Sequence, residues 1–175
     1  MNGLRFVIRW WVAFAFLASA AALATAHAFE SFGGLMPCHL CLKQRDIYWF
    51  AIIISLPATV WALFFRSRGT PKLAALLLFG VFTAGTVIAG FHAGVEMKWW
   101  PGPASCTGTP GGGFDMTVMK AILAGKKIST PMCDVIAWQM GGVTMSGYNT
   151  IASAILALFS LVASIRRKSD APRAD

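Results

Sequence analysis

Apolar residues run through this chain in four long blocks, about residues 10–29, 47–65, 73–91 and 148–165, and every Lys, Arg, Asp and Glu lies between or beyond them. A helix rises about 1.5 Å per residue, so roughly 20 such residues cross the hydrocarbon layer of a membrane. Each block is apolar on all sides, as expected when one face meets lipid and another meets neighbouring helices. The pattern predicts four spanning helices, and the short connection "RSRGTPK" makes the second and third antiparallel neighbours. Small residues in "ASAAALATA" and "GTVIAG" suit close helix contact in lipid, which is generic packing and not a site. The expected fold is all-α, an integral membrane four-helix bundle forming a single domain over residues 1–175, with outward loops at about 30–46 and 92–147.

Composition excludes an ordinary soluble domain: 57% of residues are hydrophobic and 13% charged, with a mean hydropathy of +0.63. The formal charge of +8 is distributed unevenly. Arg5, Arg9, Arg66, Arg68, Lys72, Arg166, Arg167, Lys168 and Arg173 flank one side of the blocks with only Asp170 and Asp175. Lys43, Arg45, Lys98, Lys120, Lys126 and Lys127 on the other side are nearly matched by Glu30, Asp46, Glu96, Asp115 and Asp134. Short basic loops stay in the cytoplasm, so both termini are expected there and the charge is a topology signal, not a nucleic-acid surface. Arg5 and Arg9, an apolar run and "AHA" at 26–28 also have the shape of a cleavable secretory signal. The run exceeds the usual ~7–15-residue signal core, which favours a retained helix.

All four cysteines, Cys38, Cys41, Cys106 and Cys133, fall in the two outward loops. Disulfides persist in oxidising compartments, which implies a periplasmic face in a bacterial host. A bond from Cys38 to Cys41 would close only four residues, for about 2 kcal/mol of chain entropy; one from Cys106 to Cys133 would close 28, for about 3.6 kcal/mol. Stapling therefore accounts better for the second pair, while Cys-x-x-Cys near a helix start is a redox spacing. Pro37 suits the first turn of the second helix, with Cys41 one turn before Arg45. A guanidinium there can stabilise a Cys41 thiolate or donate to a carbonyl of a bound molecule; alone it would be an interfacial anchor. Zinc is the rival chemistry for the cysteines and histidines, but 26 residues separate the second pair where zinc sites use two to four, so no metal ligand is assigned.

The second loop carries "GGGFDMTVMKAILAGKKI", whose Phe114, Val118, Met119, Ile122 and Leu123 share one helical face, predicting a short interfacial helix. Its Gly-Pro-rich shoulders would let Cys106 and Cys133 move relative to the bundle. Trp10, Trp11, Trp99, Trp100 and Trp138 read as an aromatic belt at the headgroups. His92, one turn from Glu96 at the end of the third block, is a functional candidate because ionisable residues at membrane depth are costly, although a plain hydrogen bond to Glu96 would also account for it.

Taken together, "PCHLCLKQR", "FHAGVEMKWWPGPASC", "MCDVIAW" and "MSGYN" resemble the DsbB family of bacterial membrane disulfide oxidases across nearly the whole chain. The resemblance implies a thiol:quinone oxidoreductase of the inner membrane, with the cysteines periplasmic, fed by a DsbA-like thioredoxin-fold oxidase. It implies that Cys106 and Cys133 reoxidise that partner, with Cys106 in the mixed disulfide, that Cys38 and Cys41 receive the electrons, and that Cys41 reduces ubiquinone or menaquinone held by Arg45 and, more weakly, His92. A vitamin-K-epoxide-reductase-like enzyme and a non-catalytic membrane protein with two structural disulfides are the alternatives. In the former the Cys-x-x-Cys normally lies late in the bundle, and the latter has no need of Arg45.

Overall fold

The computed structural model describes residues 2–65, 70–103, 106 and 132–165. Four long helices form the bundle: α2 (Trp11–Ser31), α3 (His39–Phe64), α4 (Lys72–Glu96) and α5 (Met145–Ile165), each long and apolar enough to cross a membrane. Ahead of them lies a short α1 (Asn2–Arg9). The expected interfacial helix of the second loop lies outside the described residues.

The helices continue past the apolar blocks, because their polar ends are satisfied by one another. α3 starts at His39, so Lys43, Arg45 and Asp46 are helical, and Pro37 precedes the helix instead of sitting in its first turn; Cys38 is the N-cap. α4 continues through His92 to Glu96. It closes on Lys98, whose φ of 60° lies in the left-handed region, with Lys98 N–H on the Val95 carbonyl and Trp99 N–H on the Gly94 carbonyl. Trp100 packs against Gly94, where a Cβ would collide with the indole ring.

Each helix packs against the next in sequence, and α4 with α5 is the most extensive pair. The seams are built from Ala15, Ala51, Ala75, Ala89, Ser55, Ser153 and Ser160, small side chains that bring backbones close where lipid supplies no hydrophobic drive between helices. Larger groups, Val12, Leu78 and Phe82, fill the centre, while Ile53, Leu76, Val87, Ile155 and Leu158 face outward. Trp11 is not part of a headgroup belt: it is buried, stacks on Phe159 at 5.3 Å and donates from Nε1 to Ser160 Oγ at 2.8 Å. Thr70 donates to the Arg9 carbonyl from both N–H (3.1 Å) and Oγ1 (2.8 Å), placing the starts of α2 and α4 at one end of the bundle. The cysteines collect at the other end.

One element has no counterpart in the sequence reading. β1 (Gln139–Met140) and β2 (Val143–Thr144) form a hairpin whose turn, Gly141 and Gly142 with φ of 57° and 78°, needs two left-handed residues in succession. It leads directly into α5.

Phe82→Ala is expected to lower stability by about 2–3 kcal/mol, the cavity share of the ~3–5 kcal/mol typical of soluble cores, because lipid replaces water as the alternative solvent. Thermal unfolding in detergent measures it, and a loss below about 1 kcal/mol would mean that α3, α4 and α5 close over the void.

Candidate redox site

The site is built where α3 begins and α4 ends. Cys38 has extended backbone angles (φ −77°, ψ 171°), and its sulfur accepts the Cys41 N–H at 3.2 Å, doing what a Ser or Asp oxygen does at an N-cap. One turn of helix then brings Cys41 Sγ to 2.7 Å from Cys38 Sγ. Cys38 is buried; Cys41 is half-buried and lines a cavity. The Cys38 thiol is drawn down to about 4, chiefly by the hydrogen bond from Cys41 and further by the His92 ring, against the opposing cost of burial.

His92 Nε2 lies 3.6 Å from Cys38 Sγ. Its other nitrogen, Nδ1, accepts from Gln44 Nε2 at 2.8 Å. An amide NH2 can only donate, so the remaining ring hydrogen sits on Nε2 and faces Cys38. The chain continues outward: Gln44 Oε1 accepts from Asn149 Nδ2, and Asn149 Oδ1 accepts from the Tyr48 hydroxyl. The same nitrogen, Nε2, lies 3.8 Å from Glu96 Oε1, while Glu96 Oε2 accepts from Ser146, which is paired with Thr144 at 3.0 Å. His92 and Glu96 are 2% and 6% exposed, so this network takes the place of solvent for both.

The second pair, Cys106 and Cys133, is joined by a disulfide and packs with Cys38, Cys41, Leu40 and Val95 in one buried cluster. At 6% and 0% exposure it is docked against the bundle. The expected freedom of its shoulders concerns residues mostly outside the described ones; Cys133 itself is fixed by its N–H on the Cys106 carbonyl (2.8 Å). Next to it, Asp134 accepts from Lys98 Nζ at 2.7 Å, and this neighbouring cation holds its carboxyl below the usual range.

Among the described residues no hydrogen bond joins Arg45 to either thiol. Its Nη1 donates to Glu30 Oε2 at 2.6 Å and its Nη2 to the Ala26 carbonyl at 3.3 Å, because α2 ends beside this face of α3 and presents both acceptors. The expected support of Cys41 by Arg45 is thus not made as a hydrogen bond here, and His92 is the basic side chain beside the Cys38 sulfur. Arg45 instead lines a cavity of about 410 Å³ between α2, α3, α4 and α5, together with Cys41, Gln44, His92 and Glu96. Phe29 and Trp138, 5.6 Å apart, and Tyr148 add aromatic walls. Gln44, Tyr48, Glu30, Ser146 and Asn149 were not assigned from sequence; only Gln44 carried a signal, as a polar residue one turn from a cysteine and beside an arginine. His39 is exposed.

Comparison with known proteins places this architecture. The sequence profile of the disulfide bond formation protein DsbB family matches residues 8–163. The chain belongs to the DsbB family. It is 30% identical over 177 residues to disulfide bond formation protein B of Xylella fastidiosa strain Temecula1, covering 98% of both chains. It is 27% identical to the Marinobacter nauticus protein of the same name, covering 92% of this chain and 94% of that one. Disulfide bond formation protein B 2 of Pseudomonas entomophila is 29% identical over 84% of each chain. No solved structure matches. The chain is thus a multi-pass membrane member of a disulfide-bond-formation family.

Gln44→Leu should cost about 1–3 kcal/mol, since it leaves His92 Nδ1 buried without a partner and removes the acceptor of the half-buried Asn149 amide. Lys98→Ala should cost under about 1 kcal/mol, because that ion pair is largely exposed and screened. Unfolding curves of the two variants, recorded together, check the contrast; equal losses would mean the buried amides find other partners.

Proposed function

We propose that this DsbB-family chain is a thiol:quinone oxidoreductase of the bacterial inner membrane that reoxidises a DsbA-like thioredoxin-fold partner. The observation that carries this reading is the position of the Cys38–Cys41 dithiol, which has the Cys106–Cys133 disulfide packed on one side and the Arg45 cavity on the other. Two electrons entering at the outer pair have a covalent route to the inner pair, and the inner pair has an apolar chamber beside it.

The cavity suits a quinone by its donor set. Its walls are mostly aliphatic and aromatic, its volume falls in the ~300–1,000 Å³ range of small-molecule sites, and among its polar groups, which include Thr25, Gln44, His92, Glu96, Ser146 and Asn149, Arg45 can donate to a carbonyl oxygen. A bound ubiquinone or menaquinone would supply the sink for two electrons and two protons. The chain's own steps are exchanges. A partner dithiol transfers its electrons to the Cys106–Cys133 bond, leaving the partner oxidised and two thiols on the chain. Those thiols reduce a Cys38–Cys41 bond by the same exchange. In the resulting inner dithiol, a proton passing between sulfurs 2.7 Å apart decides which is the thiolate. With the hydrogen on Cys38, the Cys41 thiolate faces the cavity; re-forming the Cys38–Cys41 bond then releases two electrons and the one proton the pair still holds, the other having left when the thiolate formed. Arg45 would orient the acceptor, and Glu30 holds Arg45 in place.

The orientation proposed for the chain puts both termini in the cytoplasm and the cysteines in the periplasm. Arg9 and Lys72 mark the end opposite the cysteines, in keeping with the preference of basic flanks for the cytoplasm.

Purified protein supplied with a reduced thioredoxin-like oxidant should reduce quinone, and Cys41→Ser and Cys106→Ser should each abolish turnover. Arg45→Ala should raise the KM for quinone at least tenfold with a smaller change in kcat, as removal of ground-state binding does. Absence of thiol-dependent quinone loss in the wild type, with both pairs remaining oxidised, would leave the cysteines as structural staples.

A further inference from the structure

Disulfide exchange needs two sulfurs at this position; it does not by itself need an imidazole nitrogen directed at them. Cys38 Sγ, Cys41 Sγ and a ring nitrogen of His92 all lie within 4.8 Å of one another, in a buried pocket at the end of the bundle. We infer that in the dithiol state these three side chains form a zinc site, with Zn2+ held by two thiolates and His92 Nε2 and the fourth position open to the cavity.

The donor set is the first argument. Two thiolates and an imidazole suit a borderline-soft d10 cation, and Cys-x-x-Cys is the spacing with which chains supply half of a tetrahedral zinc site. Distance is the second. Zinc bonds of about 2.3 Å to sulfur and about 2.0–2.1 Å to nitrogen give a sulfur–nitrogen edge of roughly 3.5 Å, and Cys38 Sγ lies 3.6 Å from His92 Nε2. The two sulfurs, at 2.7 Å, have to open toward a tetrahedral edge of roughly 3.8 Å, which Cys41 can do by turning its half-buried side chain toward the cavity. The Cys41 N–H on Cys38 Sγ already solvates a thiolate at that corner.

The surroundings complete the case. A ligating histidine ordinarily donates its second N–H to a fixed acceptor. Here Gln44 lies 2.8 Å from Nδ1, and turning its amide by half a rotation presents Oε1 as that acceptor; Asn149 and Tyr48 can turn with it, since the Tyr48 hydroxyl also has Ser153 Oγ at 3.4 Å. Arg45 is held by Glu30, so its charge is offset, and Glu96 adds a negative charge 3.8 Å from the ligating nitrogen. Cys106 and Cys133 are bonded to each other here, and the variant lacking both shows whether they compete once a reductant opens that bond.

Binding involves no redox change: Zn2+ replaces two thiol hydrogens, which leave as protons, and the Nε2 hydrogen is exchanged for one on Nδ1. Zinc-bound sulfurs are not free to form a disulfide, so the metal holds the inner pair reduced. The inference needs only the dithiol state and does not depend on the quinone reading.

The test uses full-length protein in detergent, reduced without oxygen, and Co2+ as the spectroscopic probe. The expected result is one cobalt per chain with thiolate-to-cobalt charge transfer and the visible bands of a tetrahedral ion, displaced by one equivalent of Zn2+. Cys41→Ser should roughly halve the charge-transfer intensity, His92→Ala should weaken Zn2+ binding at least tenfold, Gln44→Leu should weaken it while leaving all three ligands in place, and Cys106→Ser with Cys133→Ser should change nothing. Affinity unchanged in both His92→Ala and Gln44→Leu, a signal requiring Cys106 or Cys133, or no cobalt spectrum in folded wild type would each overturn the site. The spectrum needs neither quinone nor partner, so it can succeed where the relay assay fails and fail where that assay succeeds.

Discussion

Everything at the cysteine end of the bundle depends on one contact, the approach of His92 to Cys38 across the seam between α3 and α4. It brings a helix start, where unpaired N–H groups favour negative charge, against a helix end carrying an imidazole. If α4 stopped where its apolar block stops, at residue 91, neither His92 nor Glu96 would be positioned. If α3 started at residue 47, Cys38 would not be a cap and Cys41 would not be in its first turn. The two helices exceed their hydrophobic lengths because each supplies partners for the other's polar end.

Those partners form a closed set for a physical reason. At the margin of the hydrocarbon layer an unsatisfied amide or carboxylate is costly, so the groups that position His92 are themselves held: Gln44 by Asn149, Asn149 by Tyr48, Glu96 by Ser146. The network draws on α3, α4 and α5, while Arg45 and Glu30 tie in α2. α2 is therefore part of the site: it contributes Ala22, Leu23, Ala26 and Phe29 to the cavity wall, and cleavage behind "AHA" would remove most of that wall.

Much of this was legible in the sequence, and the unreadable parts share a cause. Four uninterrupted apolar blocks determine a four-helix membrane bundle, because hydrophobic length is a one-dimensional property. The Cys-x-x-Cys and its neighbouring arginine are local too, and they stood out. What could not be read is which side chain meets which across helices. Arg45 is one turn from Cys41, so helix geometry paired them; the acceptor that claims it, Glu30, belongs to α2. Trp11 looked like a headgroup anchor because its neighbour Trp10 and the basic flank say so, yet Ser160 on α5 gives its indole a buried partner. The hairpin is not legible because two strands of two residues carry no periodicity, although Gly141-Gly142 is its turn signal.

The spacing of the inner pair now has a mechanical reading. With Cys38 as the cap and Cys41 three residues into the helix, the sulfurs touch while their side chains approach from different directions. Cys38 lies beside His92 and the outer disulfide, and Cys41 lies along the cavity wall. A longer spacing on the same helix would separate the sulfurs by more than a turn; two adjacent cysteines would point away from each other around the axis. Two intervening residues let one pair of sulfurs exchange a proton or form a bond without backbone movement, while facing a protein disulfide on one side and an apolar chamber on the other. That division follows from the start of a helix, not from any property of the two intervening residues, one of which, His39, is exposed.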